Sequence, residues 1–312
     1  MALYTNFIGL DIGKFNFVVA VNGNKKTEEY ENNNSGIMLF LKKYKNILPN
    51  SLCVLETTGG YEMRLLLALC DKNYSVHRAN TRHVKNFIRS LGNAAKTDSL
   101  DAKALALYGH ERSGRLEKFI PSSKKALELY ELSQRRKDLK KMLIAEKNRI
   151  QAPKVDLVKV SFSEMINILT NQIEAIDKEI NKLIAEDEVL KAKKEVLKTI
   201  KGIGDVVANE LLIFMPELGK INRRQAASLT GLAPKANDSG TVNGYRRTSK
   251  GRSEIKSILF LAAMAARNSN SEFKSFYIKL INKGKKKMVA LVALARKIIV
   301  IANAKLKPFA TI

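Results

Sequence analysis

The sequence contains no tryptophan, three histidines and two cysteines, and each scarcity excludes a class of protein. Cys53 and Cys70 lie in apolar runs and are too few for a disulfide framework or a zinc finger, so we expect reduced core residues. No apolar run approaches the roughly 18–20 residues that span a bilayer. No basic stretch precedes an apolar one near the N-terminus, so we expect no secretion signal and a cytoplasmic location.

Negative charge is also scarce, with 30 Asp and Glu residues against 55 Lys and Arg residues and a net charge of +25. The excess is uneven, because residues 196–312 hold 22 basic and 6 acidic side chains. Such a surface predicts a polyanionic partner, with nucleic acid the leading candidate. An acidic membrane is a weaker candidate because no basic amphipathic helix with a Trp or Phe face is evident. Hydrophobic residues make up 45% of the chain, which is enough for a folded core.

The first 115 residues alternate between strand and helix patterns. Turn residues and apolar alternation predict strands at residues 3–10, 15–21, 25–30, 52–56 and 75–77. Helical patterns cover residues 35–44, 61–71, 81–90 and about 98–111. Three strands joined by short turns begin an antiparallel meander, and the later alternation predicts a mixed α/β sheet with helices on its faces.

Four carboxylates stand out in this region. Asp11 and Glu56 close two predicted buried strands, where an unpaired charge is expensive. Asp98 and Asp101 are three residues apart at the start of a helix and therefore share one face. Taken alone, these two are better explained as an N-cap, Asp98, and a third helical residue, Asp101. If all four converge, their oxygen ligands suit Mg²⁺ or Mn²⁺.

The middle of the chain has a different pattern. Apolar residues from Ile166 to Leu183 recur with spacings of three and four, which is a heptad seam flanked by Glu and Lys. A similar rhythm runs from Leu129 to Ile150, and Pro153 separates the two stretches. The pattern predicts two long helices that form an antiparallel hairpin, or a seam that another subunit completes.

Two glycine-containing segments follow. Lys201-Gly202-Ile203-Gly204 connects two predicted helices and resembles a helix–hairpin–helix element for DNA backbone binding, although a plain connector is the commoner explanation. A polar loop at residues 237–251 is rich in turn residues and basic side chains, and apolar helices are predicted at residues 255–266 and 289–305.

Taken in order, these motifs resemble one known family, the DEDD transposases of bacterial insertion sequences, which include Piv-like DNA invertases and bridge-RNA-guided recombinases. The resemblance covers nearly the whole chain. It rests on Gly9-Leu10-Asp11-Ile12-Gly13, Leu55-Glu56-Thr57-Thr58-Gly59, Lys96-Thr97-Asp98-Ser99-Leu100-Asp101-Ala102, Ile200-Lys201-Gly202-Ile203-Gly204, Leu229-Thr230-Gly231-Leu232-Ala233-Pro234, Asp238-Ser239-Gly240 and Arg247-Thr248-Ser249-Lys250-Gly251.

The resemblance implies three domains: an RNase H/RuvC-like catalytic domain at residues 1–118, a coiled-coil dimerisation hairpin at 119–195, and a mainly α-helical transposase domain at 196–312. It implies a metal-binding quartet of Asp11, Glu56, Asp98 and Asp101. It also implies a serine nucleophile, which by position is Ser239, with Ser249 as the alternative. The expected partners are DNA, a guide (bridge) RNA and further copies of the chain as a dimer or tetramer, in the bacterial cytoplasm at the nucleoid.

The residues themselves fit this chemistry. A hydroxyl needs a base or a metal for activation, and no histidine lies near Ser239 in sequence, so metal-assisted attack is favoured over a Ser–His triad. Two alternatives remain open: a metal-dependent, junction-resolvase-like nuclease that uses water, and a non-catalytic nucleic-acid-binding protein. The residues expected to contact nucleic acid are Lys201, Gly202, Gly204, Arg246, Arg247, Lys250, Lys285, Lys286 and Lys287.

Overall fold

The computed structural model describes residues 4–92, 97–121, 123–236, 238–241, 244–269 and 271–310. Lys96 of the quoted aspartate motif and three residues of the polar loop, Asn237, Val242 and Asn243, lie outside them, as does Leu3 of the first predicted strand. The chain divides into two compact units, Met1–Ser122 and Ser123–Ile312. The predicted C-terminal domain and the predicted hairpin, apart from residues 119–122, therefore lie in the same unit.

The first unit is built on a five-stranded mixed sheet. Its spatial order is β3-β2-β1-β4-β5, with β1 antiparallel to β2, β2 antiparallel to β3, and β1, β4 and β5 parallel. This confirms the predicted antiparallel meander at the start of a mixed sheet. The strands are β1 (Asn6–Ile12), β2 (Asn16–Val21), β3 (Thr27–Glu31), β4 (Ser51–Glu56) and β5 (Ser75–Ala79).

Helices cover both faces of this sheet, because β1 and β4 are apolar along nearly their whole length. One face carries Ile8, Leu10, Cys53 and Leu55 and packs with residues of α1 and α2, while Phe7, Leu52 and Val54 on the other face pack with residues of α3 and α4. The helices are α1 (Asn34–Lys43), α2 (Met63–Asp71), α3 (Thr81–Ser90) and α4 (Asp98–Arg112).

The second unit is helical apart from one short ladder. Its elements are α5 (Lys124–Arg149), α6 (Asp156–Ala185), α7 (Glu188–Lys198), α8 (Asp205–Phe214), α9 (Arg223–Leu229), β6 (Pro234–Lys235), β7 (Arg247–Thr248), α10 (Ser253–Asn268), α11 (Glu272–Asn282) and α12 (Lys287–Lys305). The short helices α9 and α11 were not predicted from the sequence. Within the described residues no helix is long and apolar enough to cross a membrane.

The two long helices α5 and α6 pack against each other. Leu139 and Leu143 of α5 cluster with Leu169 and Ile173 of α6, while Leu129, near the start of α5, clusters with residues near the end of α6. Low numbers on one helix meet high numbers on the other, so the helices are antiparallel. The predicted hairpin is confirmed within a single chain, and its seam uses the residues of the heptad pattern.

Candidate active site

Asp11 and Glu56 occupy neighbouring positions on two central parallel strands. The paired positions of β1 and β4 run up to Leu10 opposite Leu55, so Asp11 and Glu56 come next on their strands. Because side chains alternate between the two faces, both carboxylates stand on the same face of the sheet, on strands about 4.8 Å apart. Both residues are half-buried. The predicted first strand ended at residue 10, whereas β1 continues through Ile12 and contains Asp11.

Helix α4 lies on this same face and approaches β1 closely. A methyl group at position 9 would collide with the carbonyl oxygen of Ala102 and the amide nitrogen of Ala106, so only glycine fits there. A methyl group added at Gly109, near the end of α4, would lie 2.8 Å from Val54 Cγ2 and 3.6 Å from Phe7 Cδ1. Position 9 therefore lies under residues 102–106 of α4 and position 7 under its end.

The start of α4 packs over β2 and β3, the two strands on one side of β1. Ala102 clusters with Val18 and Ala20 of β2, and Val18 is the residue paired with Asp11. Ser99 Oγ is 3.0 Å from Oγ1 of Thr27, at the start of β3. The turn that contains Asp98 and Asp101 therefore lies on the same sheet face as Asp11 and Glu56, on the side of β2 and β3.

The start of α4 differs from the sequence-based expectation. Thr97 is the N-cap, and its Oγ1 accepts a hydrogen bond from the backbone N–H of Leu100 at 3.2 Å. Asp98 is consequently the first residue of the helix and Asp101 the fourth, so the N-cap assignment of Asp98 was wrong. Because a hydroxyl already caps the helix, neither aspartate is needed as its capping acceptor. They still share a face and lie in the first turn, where the helix dipole favours negative charge.

The loop after Glu56 is organised by Glu62, a residue that sequence reasoning missed. Its side chain is fully buried, and its Oε2 accepts hydrogen bonds from the N–H of Thr58 at 3.1 Å and of Gly60 at 2.9 Å. Oε1 accepts from Arg78 Nε at 3.2 Å. Burial works to raise the pKa of Glu62, but the hydrogen bonds from Arg78 and from the loop amides outweigh it and hold the pKa below its ordinary value.

Among the described residues, no group of three or more His, Cys, Asp and Glu side chains is already arranged to hold a metal ion. Asp98 is exposed, and the other three carboxylates are half-buried. All four nonetheless belong to strand ends and a helix start on one sheet face, and carboxylate oxygens are the donors that Mg²⁺ and Mn²⁺ prefer. The donor set therefore fits a hard divalent cation in its chemistry.

The second unit holds the loop that contains Ser239. The two-residue ladder of β6 and β7, in which Lys235 pairs with Arg247, closes this loop at its base. Asp238 orders part of it: Oδ1 accepts from the N–H of Gly244 at 3.2 Å, and Oδ2 pairs with Arg246 Nη1 at 2.7 Å. Ser239 is exposed within this loop, whereas Ser249 is exposed beyond the ladder.

Ser249 is followed by a backbone that is fixed for packing reasons. Lys250 has a φ of 63° and Gly251 a φ of +85°. A side chain at position 251 would collide with the backbone N–H of Gly231. The Leu-Thr-Gly-Leu block and the Ser-Lys-Gly block of the sequence are therefore two sides of one close backbone contact, which holds the base of the serine loop.

The Lys201–Gly204 segment connects α7 and α8, as predicted. Gly202 has a φ of +93°, and a side chain there would collide with the carbonyl oxygen of Ala262 in α10. At the start of α8, Asp205 Oδ1 pairs with Lys194 Nζ at 3.0 Å and with Lys198 Nζ at 3.1 Å, and hydrogen bonds from these two lysines hold its pKa below the ordinary value. Packing accounts for Gly202, while Lys201 and Gly204 stay candidates for phosphate contact.

Two family models match this chain, and the first extends past the first compact unit and through α5. A transposase family model for DEDD transposases of the IS110 type matches residues 8–153. A second one, for transposases of the IS116/IS110/IS902 family, matches residues 194–278. The chain belongs to the IS110 family of DEDD transposases. It is thus a DNA recombinase or transposase, and DNA is its partner.

Individual relatives agree with this assignment. The pilin gene-inverting proteins of Moraxella bovis and Moraxella lacunata are each 27% identical over 96% of this chain and 95% of their own length. An IS110 insertion-element protein of Streptomyces coelicolor is 28% identical over 49% of this chain and 37% of its own length. The similarity to full-length relatives therefore spans both compact units of this transposase.

Proposed function

We propose that this transposase breaks and rejoins DNA strands with Ser239 as nucleophile and with Asp11, Glu56, Asp98 and Asp101 as a quartet that binds Mg²⁺ or Mn²⁺. The observation that carries the proposal is the register of β1 and β4, which makes Asp11 and Glu56 neighbours on the sheet face covered by α4. We further propose that the first unit is a RuvC/RNase H-like catalytic domain.

A divalent cation in the quartet would offset the repulsion between carboxylates and phosphate, and would polarise the phosphoryl oxygen. Ser239 Oγ forms a bond to the phosphorus, one P–O bond to the deoxyribose breaks, and the released sugar hydroxyl takes up a proton. Rejoining reverses these steps, as a hydroxyl of the new strand attacks the phosphoserine and frees Ser239. Arg246 and Arg247, close to Ser239 in the loop, are suited to holding the phosphate.

Ser239 is preferred to Ser249 for a structural reason. The Ser239 loop is closed at its base by the β6–β7 ladder and presents an exposed hydroxyl beside the Asp238–Arg246 pair. Ser249 is next to Lys250, whose positive φ and contact with Gly231 fix the backbone. A fixed backbone beside a glycine contact leaves less room for a DNA strand to approach.

The test is covalent capture. Wild-type protein mixed with labelled DNA ends of its insertion sequence should give a protein–DNA adduct that survives denaturation. Ser239→Ala should give no adduct. Ser249→Ala is the matched control and should still give the adduct. An adduct in Ser239→Ala would assign the nucleophile elsewhere. Cutting by the wild type without any adduct would favour the nuclease alternative. If the wild type binds DNA but does not cut it, and Asp98→Asn binds equally well, the protein is better explained as a non-catalytic binding protein.

We also propose that the hairpin mediates oligomerisation as a coiled coil, in a dimer or a tetramer. Large apolar side chains are exposed along its distal half, including Leu157 at 82%, Val160 at 54% and Ile168 at 54%. A groove of about 550 Å³ between α5 and α6 is lined mainly by apolar residues such as Met142, Leu157 and Phe162. Apolar surface of this extent on one helix pair is typical of a surface that another copy covers.

If copies associate, a site could combine the quartet of one protomer with the serine of another. Mixing Asp11→Ala and Ser239→Ala subunits should then restore part of the recombination activity, and no rescue would indicate sites made within one chain. A guide RNA is part of the proposal as well. The expected backbone contacts come from Lys201, Gly204, Lys250 and the exposed lysines at 285–287.

A further inference from the structure

A cavity of about 960 Å³ opens on the second unit beside the serine loop. It lies between α9, the β6–β7 ladder, α11 and α12. Its floor is apolar and includes the buried Leu232 and the half-buried Phe276, Val292 and Val300. The exposed Pro234 and Met288 add to the apolar lining. A concave site of this volume with an apolar floor has the dimensions of a ligand pocket.

The rim of the cavity is strongly basic. Its cationic members are Arg223, Arg224, Arg246, Arg247, Arg296 and Lys297, and no carboxylate belongs to the described lining residues. Within the part of the chain that the structure describes, Arg223, Arg224, Arg247 and Arg296 make no ion pair, whereas Arg246 pairs with Asp238 and Lys297 with Glu272. Four guanidinium groups around one opening repel each other, so the rim is arranged for an anionic ligand.

Tyr245 stands at this opening, with 71% of its surface exposed. It directly precedes Arg246 and Arg247, so an aromatic ring and two guanidinium groups are presented side by side. An exposed ring beside phosphate-binding cations is the combination that proteins use to stack an unpaired base and hold its backbone. A fully paired duplex keeps its bases stacked inside and cannot use an apolar floor.

We propose that this cavity binds an unpaired nucleobase of a DNA or RNA strand. The base enters over the apolar floor and contacts Tyr245, and the arginines of the rim hold the flanking phosphates. The inference deepens the proposed function and rests on it, because an unpaired base beside the serine loop would fix the register of the strand that is cut.

The test compares three duplexes of the same sequence, one fully paired, one with a single bulged 2-aminopurine and one with a bulged abasic site. Binding is measured in EDTA, so that no strand is cut. The wild type should bind the bulged base about tenfold more tightly than the other two, which is an effect of the size that stacking of one base on an aromatic ring supplies. The fluorescence of the 2-aminopurine should also change on binding. The same comparison with DNA duplexes and with RNA duplexes shows whether the preferred bulged base belongs to DNA or to RNA.

Variants locate the effect. Ala293→Phe, which fills the cavity from α12, and Tyr245→Ala should each abolish the preference for the bulged base, whereas Tyr245→Phe should keep it. Ala304→Phe, at an exposed position of the same helix outside the cavity, is the size-matched control. Arg296→Ala should weaken binding of all three duplexes, and the exposed Arg135→Ala is its charge-matched control.

Equal affinity of the wild type for the bulged base and the abasic bulge would overturn the proposal, even if no variant folds. So would a preference that Ala293→Phe retains. These measurements need no chemistry, so they stay valid if Ser239 proves not to be the nucleophile. Covalent adducts without any preference for a bulged base would refute this inference alone.

Discussion

The side-chain amide of Asn32 donates a hydrogen bond to the carbonyl oxygen of Gly13 at 3.0 Å. The same nitrogen donates to the carbonyl oxygen of Tyr61 at 3.1 Å. Gly13 follows Asp11 by two residues, and Tyr61 lies in the loop after Glu56. One buried side chain thus ties together the two loops that leave the strand ends carrying these carboxylates.

Asn32→Ala should destabilise the first unit by about 2 kcal/mol, because two carbonyl oxygens lose their donor at a site where Asn32 is only 8% exposed. The free energy of unfolding from urea titration measures this loss. Asn46→Ala, at an exposed position, is the matched control and should leave the unfolding free energy unchanged. A loss of equal size in both variants would show that the bridge has no special role.

Glu62 should give the protein a specific sensitivity to acid. Its folded-state pKa lies below the ordinary value of 4.5, so the unfolded chain takes up its proton first as the pH falls. The stabilisation is complete above the unfolded pKa and is lost as the pH falls through the folded pKa. Below about pH 4.5, Glu62→Gln should therefore lose unfolding free energy less steeply than the wild type.

The measurement is the free energy of unfolding at several pH values between neutrality and the acid transition. Glu111→Gln removes an exposed carboxylate of α4 and serves as the control, for which we expect the slope of the wild type. A slope in Glu62→Gln equal to that of the wild type would mean that the pair formed by Arg78 and the buried Glu62 does not govern the acid response.

Local pattern was enough to predict most elements of the first unit. The bounds predicted for α3 are those observed, and the strands that carry Asp11 and Glu56 were found from their apolar runs. The N-cap of α4 was wrong because Thr97 and Asp98 are both good caps, and the choice depends on the backbone at the helix start. N-cap propensity alone does not decide which of two adjacent candidate residues caps the helix.

Glu62 and Asn32 could not be found from the sequence for a different reason. Their roles depend on loops that are brought together by the sheet, since Asn32 is 29 residues from Tyr61 and Glu62 is 16 residues from Arg78. The arginine-rimmed cavity was missed likewise, because α9 and α11 were not predicted. Its arginines are scattered over four elements or loops and share no local motif.

Gly9→Ala tests the close contact between α4 and β1. The added methyl group would collide with backbone atoms of Ala102 and Ala106, which cannot rotate away as a side chain can. Such overpacking costs about 1–3 kcal/mol, and here it also displaces the helix start that bears Asp98 and Asp101. We expect lower stability in urea titration together with lower recombination activity.

Gly114→Ala is the matched control, because no atom lies within 4 Å of an added methyl group there. It should leave both the unfolding free energy and the activity unchanged. Unchanged recombination in a folded Gly9→Ala protein would separate the position of α4 from catalysis and would weaken the proposed quartet.

Divalent metal should stabilise the wild type and not a quartet variant. Mg²⁺ or Mn²⁺ at concentrations above its dissociation constant should raise the thermal midpoint, because the ion binds only the folded chain. Asp101→Asn should abolish most of this shift, while its midpoint in EDTA should equal or exceed that of the wild type, since like charges repel without the ion. Asp71→Asn, at an exposed position of α2, should respond to metal as the wild type does. A full metal response in Asp101→Asn would remove that residue from the site.

The exposed apolar stripe on α6 should control the oligomeric state. The side chain of Leu157 is 82% exposed in the single chain and would be covered by another copy in the oligomer. Leu157→Glu would bury a charge there, so it should dissociate the oligomer without destabilising the monomer. Sedimentation velocity across a range of concentrations measures the change. Leu261→Glu, at a position of α10 that is 61% exposed, is the control and should leave the sedimentation coefficient unchanged. If copies must associate to complete a site, the monomeric Leu157→Glu protein should still bind DNA but form no covalent adduct, and an active monomer would indicate that one chain suffices.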